Sequence, residues 1–371
     1  MTTGPAMNLE DSFSHSYAEA RRKFIDSAQG AGLPVESKLH PETGRDGEEL
    51  AMDVAREGDP DAPALLILSS ACHGVEGFCG SGVQVGALHD GEWRKYAADR
   101  NVAVLYIHAL NPYGFSHIRR TTQENVDLNR NFHDFGKPLP ENAAYGELHD
   151  LLFPQTWPPS KENDDTLARW VEKNGQMAYQ TAISAGQYDF PRGMYFGGHS
   201  PTWSNRTLRE VLRAHGRRAG RAAWIDFHTG LGPSGKGERI FAGPDDAAKV
   251  ARARRWWDGG GKTPVTSIYD GSSTSAKLTG MMWASIADEC PRAEYTGIAM
   301  EYGTQPLLQV LEALRADHWL DQHPEAPKEL AAQIKRQMLE AFYTDTPEWR
   351  RRIVEQAREA MFQAVDGLTA T

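Results

Sequence analysis

Apolar runs of strand length recur along the chain at 64–69 (ALLILS), 102–108 (VAVLYIH), 222–228 (AAWIDFH) and 297–301 (GIAME). Each is continuous rather than alternating, the pattern of a strand covered on both faces. Other segments space their apolar residues at three and four. The first is 9–31, where Phe13, Tyr17, Ala20 and Phe24 share one face. The same period predicts helices at 81–89, 161–185, 206–216, 245–257, 278–287, 305–315, 325–343 and 347–365. Strands alternating with helices predict an α/β fold, with a central mixed, largely parallel sheet flanked by helices. No internal repeat or low-complexity linker interrupts this pattern. Residues 1–371 therefore read as a single domain with its core over about 15–345 and the helix 347–365 packed on it. Pro154–Pro159 and 270–275 (DGSSTS) read as surface loops.

Composition narrows the partners. With 371 residues, 40% of them hydrophobic, the chain can bury a sizeable core. Forty Lys and Arg stand against 50 Asp and Glu, a formal net charge of −10. That balance argues against nucleic acid or an anionic membrane surface as partner. The basic stretches 206–221 and 252–255 then read as solvated helix faces. No run approaches the ~20 apolar residues of a membrane helix. Residues 1–8 lack the basic start and apolar stretch of a secretory signal. Three cysteines, Cys72, Cys79 and Cys290, make no disulfide framework, so a cytoplasmic location is expected. Oligomeric state is not legible.

The chemistry sits where the apolar runs end. The first leads into Cys72-His73-Gly74-Val75-Glu76, the second into Asn111-Pro112-Tyr113-Gly114, the third into Asp226-Phe227-His228, and the fourth into Glu301. In open α/β sheets, ligands bind outside the carboxyl ends of the strands. Two imidazoles and a carboxylate suit a borderline metal such as zinc, and His73 and Glu76, three apart, share one side of a turn. His228, from a distant strand, is the third candidate ligand, and Glu301 is a spare carboxylate. Between 111 and 132 (NPYGFSHIRRTTQENVDLNRNF) a packed set of Asp, Asn and Arg lies among Val, Leu and Phe. Burying such a set demands partners. It reads as a polar wall, with an arginine fork for a carboxylate or oxyanion.

Together these motifs resemble the zinc carboxypeptidase (carboxypeptidase A-like) superfamily, which also holds the succinylglutamate desuccinylase and aspartoacylase deacylases. The likeness is strongest to a bacterial branch of unknown-function (DUF2817-like) proteins with HGVEG, VDLNRNF, DFHTG and MEYGT-like stretches, here in order between 73 and 301. The resemblance implies one zinc per chain held by His73, Glu76 and His228. It implies that Asp127 accepts the free N–H of His73, and that Arg120 polarises the scissile carbonyl, with Arg119 a competing assignment. Thr122 stands where many relatives carry Asn. The resemblance further implies that Asn129 and Arg130 clamp a substrate carboxylate and that Glu301 is the general base. Tyr269, in SIYDGS, resembles the family's substrate-covering tyrosine; Tyr295 and Tyr302 are alternatives.

The activity so implied is zinc-dependent cleavage of an amide next to a substrate carboxylate, in small peptides (a carboxypeptidase) or in N-acyl amino acids (a deacylase). Lys277, Met281, Met282 and Trp283 are candidates for a specificity pocket, and the Trp- and Pro-rich stretch 133–221 for a cleft wall. Two other classes compete. Cys72 beside His73 invites a thiol hydrolase, although chain neighbours rarely align as nucleophile and base. Gly80, Gly82 and Gly86 approximate a dinucleotide loop, but the last spacing is one too long, and close helix–sheet packing explains them better.

Overall fold

The computed structural model describes residues 9–370; residues 1–8, on which the reading of the chain's start falls, lie outside them. In chain order the elements are α1 (Tyr17–Gly30), β1 (Val35–Thr43), β2 (Glu49–Glu57), β3 (Ala64–Ser70), α2 (Gly77–His89), α3 (Gly91–Asp99), β4 (Val102–His108) and α4 (Pro112–Ser116). Then come α5 (Ala143–Leu152), α6 (Lys161–Asn174), α7 (Gln176–Ser184), α8 (Trp203–His215), β5 (Arg221–Ser234), β6 (Gly237–Phe241), α9 (Ala247–Trp257) and β7 (Val265–Thr266). The chain closes with α10 (Ala284–Glu289), β8 (Glu294–Gly303), α11 (Leu307–Gln322), α12 (Lys328–Phe342) and α13 (Pro347–Thr369).

One eight-stranded sheet runs in the order β1-β2-β4-β3-β5-β8-β6-β7. Its centre, β4-β3-β5-β8, is parallel, and so is the β6–β7 edge; β1, β2 and the β8–β6 pairing are antiparallel. The α/β class with a mixed sheet is thus as the hydrophobic pattern predicts. Every residue of β3 and β4 is buried. Successive side chains point to opposite faces, so Leu66 and Leu68 enter one apolar layer while Leu65 and Ile67 enter the other. The first layer is closed by α1, α2, α9 and α13, with Trp349, Ile353, Met361 and Val365 of α13 among its buried residues. The second is closed by α8 and α10, which contribute Leu208, Leu212 and Ile286. A third cluster joins α5 and α7 to α11 and α12 beyond the carboxyl ends of the parallel strands.

Where the elements differ from the pattern, the cause is local. The helix predicted at 161–185 is two, broken at Gly175, whose φ is +94°. The helix predicted at 278–287 shortens to α10, because residues 278–283 turn toward the sheet's end and put Leu278, Met281 and Trp283 on a pocket wall. Strands β1, β2, β6 and β7 and helices α3, α4 and α5 add to the predicted set. Among the described residues no helix is long and apolar enough to cross a membrane.

Candidate metal centre and active site

Three neighbouring parallel strands deliver the chemistry. β3 runs out at Ser70, and Ala71, with φ +58°, turns the chain so that His73 opens a short 3-10 turn, Gly74–Glu76. That turn is fixed from below: Gly74 N–H donates to Arg120 O at 3.1 Å and Val75 N–H to Arg119 O at 2.8 Å. A Cβ on Gly74 would lie 2.1 Å from the backbone of Gly114, so the glycines of His73-Gly74 and Asn111-Pro112-x-Gly114 allow one close approach of two loops. On β5 and β8, His228 and Glu301 are register partners.

His73, Glu76 and His228 are all buried, and their ligand atoms lie within 4.8 Å of one another. The two imidazole centroids are 5.2 Å apart. His228 Nδ1 is 3.2 Å from Glu76 Oε2, which also accepts from Thr229 N–H at 3.0 Å. Arg120 Nη1 donates to Glu76 Oε1 at 3.1 Å and its Nη2 approaches His73 Nε2 at 2.7 Å. A guanidinium therefore already gathers lone pairs of the carboxylate and of one imidazole around a positive charge, and a divalent ion would use the same donors. Burial, reinforced by the Arg120 charge, holds His73 well below its usual pKa, so its ring is neutral and its lone pair available. Burial acts the same way on His228, but the Asp226 and Glu76 carboxylates outweigh it and raise that imidazole. The donor set fits zinc.

The polar wall lies alongside. Asp127 is fully buried; its Oδ2 accepts from Arg120 Nε at 2.9 Å and its Oδ1 from Asn129 N–H at 3.0 Å. Its approach to His73 Nδ1 is 3.5 Å, longer than a hydrogen bond, so in this structure Asp127 holds Arg120 more directly than His73. Burial opposes its charge, yet the Arg120 guanidinium keeps it well below the usual carboxylate range. Arg120, Asn129 and Arg130 all line the pocket. Asn129 Oδ1 accepts from Met282 N–H at 3.0 Å. Arg130 donates to Ser184 O from Nε and Nη2, and to Asn129 O from Nη1. Arg119 points away, pairing with Asp317 at 3.2 Å and with Asp321.

Glu301 faces the same pocket, its Oε1 accepting from Leu231 N–H at 3.0 Å. Burial and the neighbouring Glu76 carboxylate push its pKa up to about 8. Much of the remaining lining is apolar, including Ile240, Phe241, Ile268, Met281, Trp283 and Ala299. Of the specificity candidates, Met281 and Trp283 lie on this wall, Met282 is core, and Lys277 stands over the ring of Tyr269 at 5.9 Å.

Tyr269 is the site residue the structure does not bring in. Its hydroxyl donates to Gly243 O at 2.8 Å, and the loop carrying it is tied down by Asp270–Arg254 at 2.6 Å. Neither Tyr295 nor Tyr302 lines the pocket. The tyrosine that does is Tyr195, its ring within 5.0 Å of the Arg120 guanidinium and 5.4 Å of that of Arg130. Spacing could not have found it: it lies in an irregular stretch after α7 and takes a left-handed φ of +51°. The 133–221 stretch does wall the cleft, through Gln180 and Ser184 of α7. Gln180 Nε2 reaches across to Thr274 O at 3.0 Å. Cys72 is fully buried, and burial together with the Asp226 carboxylate raises its thiol well above its usual pKa, which removes the thiolate a thiol hydrolase needs.

The chain is similar to several solved structures, and it shares its fold with the first of those that follow. Thrombin activatable fibrinolysis inhibitor (TAFI) aligns over 99% of this chain and 78% of its own, with a TM-score of 0.55 and 12% identity. Carboxypeptidase A from Helicoverpa armigera aligns over 90% of this chain and 75% of its own, with a TM-score of 0.47 and 13% identity. A metallo-carboxypeptidase from Burkholderia cenocepacia aligns over 89% and 69%, with a TM-score of 0.40 and 12% identity. No curated protein matches the chain. A family model described as "Protein of unknown function (DUF2817)" matches residues 13–356, and the chain belongs to that family.

Proposed function

We propose that the protein is a zinc-dependent hydrolase of the carboxypeptidase type, cleaving the amide next to the carboxylate of a small peptide. One observation carries the reading: two imidazoles and a carboxylate converge beside a second, unliganded carboxylate, in a pocket that also holds Arg120, Asn129 and Arg130. His73, Glu76 and His228 would hold the ion. What zinc supplies there when bound is Lewis acidity and a water with pKa near ~7. Glu301 would take the water's proton on Oε2, the oxygen not engaged by Leu231 N–H, and return it to the leaving nitrogen. The same carboxyl, once it has taken the proton, is the acid that returns it. Arg120, steered by Asp127, would donate to the oxyanion, and Tyr195 would keep its guanidinium at the pocket wall. The Nδ2 amide of Asn129 and the outer N–H groups of Arg130 would receive the substrate carboxylate. The apolar wall supports an apolar side chain beside it, and the α7 roof supports small substrates over folded proteins.

The test is a hydrolysis screen of short peptides with apolar C-terminal residues against N-acyl amino acids, with and without a zinc chelator. Chelator-sensitive release of the C-terminal residue is expected. In parallel, Glu301→Gln should retain its zinc by elemental analysis yet lose about 10³-fold or more in kcat. A Glu301→Gln protein as fast as the parent would remove Glu301 as base, and acyl release without peptide cleavage would select a deacylase.

A further inference from the structure

On a strand, residues two apart share a face, so Trp224, Asp226 and His228 of β5 project to one side of the sheet. Ser69 of β3 is the register partner of Asp226. The four side chains form a buried line. Trp224 Nε1 donates to Ser69 Oγ at 2.7 Å, and Ser69 Oγ donates to Asp226 Oδ1. Asp226 Oδ2 and His228 Nε2 are in ion-pair contact, and neither atom has a hydrogen-bond partner elsewhere. The far nitrogen of the same ring, Nδ1, faces Glu76.

We propose that Asp226 is a positioning residue for the metal centre. It accepts the Nε2–H of His228, which fixes the tautomer that presents the Nδ1 lone pair to the ion, and Ser69 and Trp224 hold the carboxylate in place. This rests on the metal-centre reading given above. A carboxylate behind a ligating histidine sets ring orientation and strengthens the ligand, and its loss weakens metal binding by about 10- to 100-fold. Asparagine at 226 would be a poor substitute, because its amide can donate to Nε2 and favour the opposite tautomer. Cys72 also lies near, and Cys72, Asp226 and His228 have ligand atoms within 4.8 Å of one another. Donors on one zinc stand about 3.3 Å apart at Zn–N distances of ~2.0–2.1 Å. The contact between His228 Nε2 and Asp226 Oδ2 is closer than that, so these two atoms do not serve one ion together.

Zinc stoichiometry and Kd, measured by competition with a chromophoric chelator, decide the matter, with no substrate needed. The full chain is expected to hold one zinc. Asp226→Asn should raise Kd 10- to 100-fold and shift the visible spectrum of the cobalt-loaded protein. Ser69→Ala, which frees the carboxylate without removing it, should raise Kd less and in the same direction, and it carries the test if Asp226→Asn does not fold. Cys72→Ser should leave Kd within twofold. Unchanged Kd in the folded Asp226 and Ser69 variants would overturn the relay and leave the metal centre standing. A wild-type protein without zinc would overturn the metal centre itself. Two zinc ions, falling to one in Cys72→Ser, would replace the relay by a second site.

Discussion

Arg119 and Arg120 are adjacent, and spacing cannot rank them, yet their surroundings assign them opposite work. Arg119 is buried between Asp317, Asp321 and Asn125, with Lys335 completing the network on Asp317 at 2.6 Å. Arg120 turns to Glu76, His73 and Asp127. The two cations thus hold one loop from both sides, Arg119 against α11 and Arg120 against His73, Glu76 and Asp127. Removing one partner of a buried pair leaves an uncompensated charge and costs about 3–5 kcal/mol. Arg119→Met should therefore lower the melting temperature sharply while kcat per folded molecule stays within a few-fold. Arg120→Lys keeps the charge but loses the fork that Asp127 steers, and should lose about 10²-fold or more in kcat. Equal kcat losses in the two variants, measured at matched folded fraction, would return the assignment to an open choice.

At the scale of elements, α2 sets where the His73–Glu76 turn can sit, because the helix begins as the turn ends. It lies close on the sheet through Gly80, where a Cβ would come within 2.7 Å of Ser70 Cβ and 3.0 Å of Phe227 Cβ. Two effects compete in Gly80→Ala. Helix propensity alone favours alanine by about 1 kcal/mol, whereas forcing a methyl into a packed interface costs about 1–3 kcal/mol. Neither neighbour is the free end of a flexible chain, so the second effect should win. Thermal denaturation should show a lower Tm for Gly80→Ala; a rise would mean that the layer has slack. The same contrast explains what was legible in the sequence. Strands buried on both faces announce themselves as apolar runs, as β3, β4, β5 and β8 do; His73 follows β3, and His228 and Glu301 lie near the end of the regular β5–β8 pairing. Edge strand β1 is mostly solvated, and β2 carries the buried Asp53, so neither makes such a run. Tyr195 and the true position of Tyr269 depend on how irregular loops are tied down, which no period encodes.

Over the whole molecule, the basic stretches that read as solvated faces are paired with acidic neighbours. Arg209 and Arg213 meet Glu289, Arg252 meets Glu294 and Arg254 meets Asp270. The electrostatics that matter for stability are instead interior. Burial pushes His108 and His318 down to about 4. Unfolded, both would titrate near their ordinary 6.5. Between those two values the unfolded chain binds more protons than the folded one, so stability falls as pH falls. The stabilisation is fully present above pH 6.5 and is lost progressively down to about pH 4, with an upper bound of roughly 3 kcal/mol for each imidazole. Asp317 adds a lower step. Burial opposes its charge, but Lys335 and Arg119 depress its pKa, so its contribution is present above the usual carboxylate range and disappears as pH falls through the depressed value. The contributions of His108 and His318 should therefore begin to fade near pH 6.5, ahead of that of Asp317. Denaturant midpoints at pH 7.5, 6.5, 5.5 and 4.5 measure this. His108→Gln, which removes the titrating ring but can still reach Ser81 Oγ, should flatten the slope between pH 6.5 and 4.5 by about one proton. An unchanged slope in that variant would show that His108 protonates in the folded state as easily as in the unfolded chain.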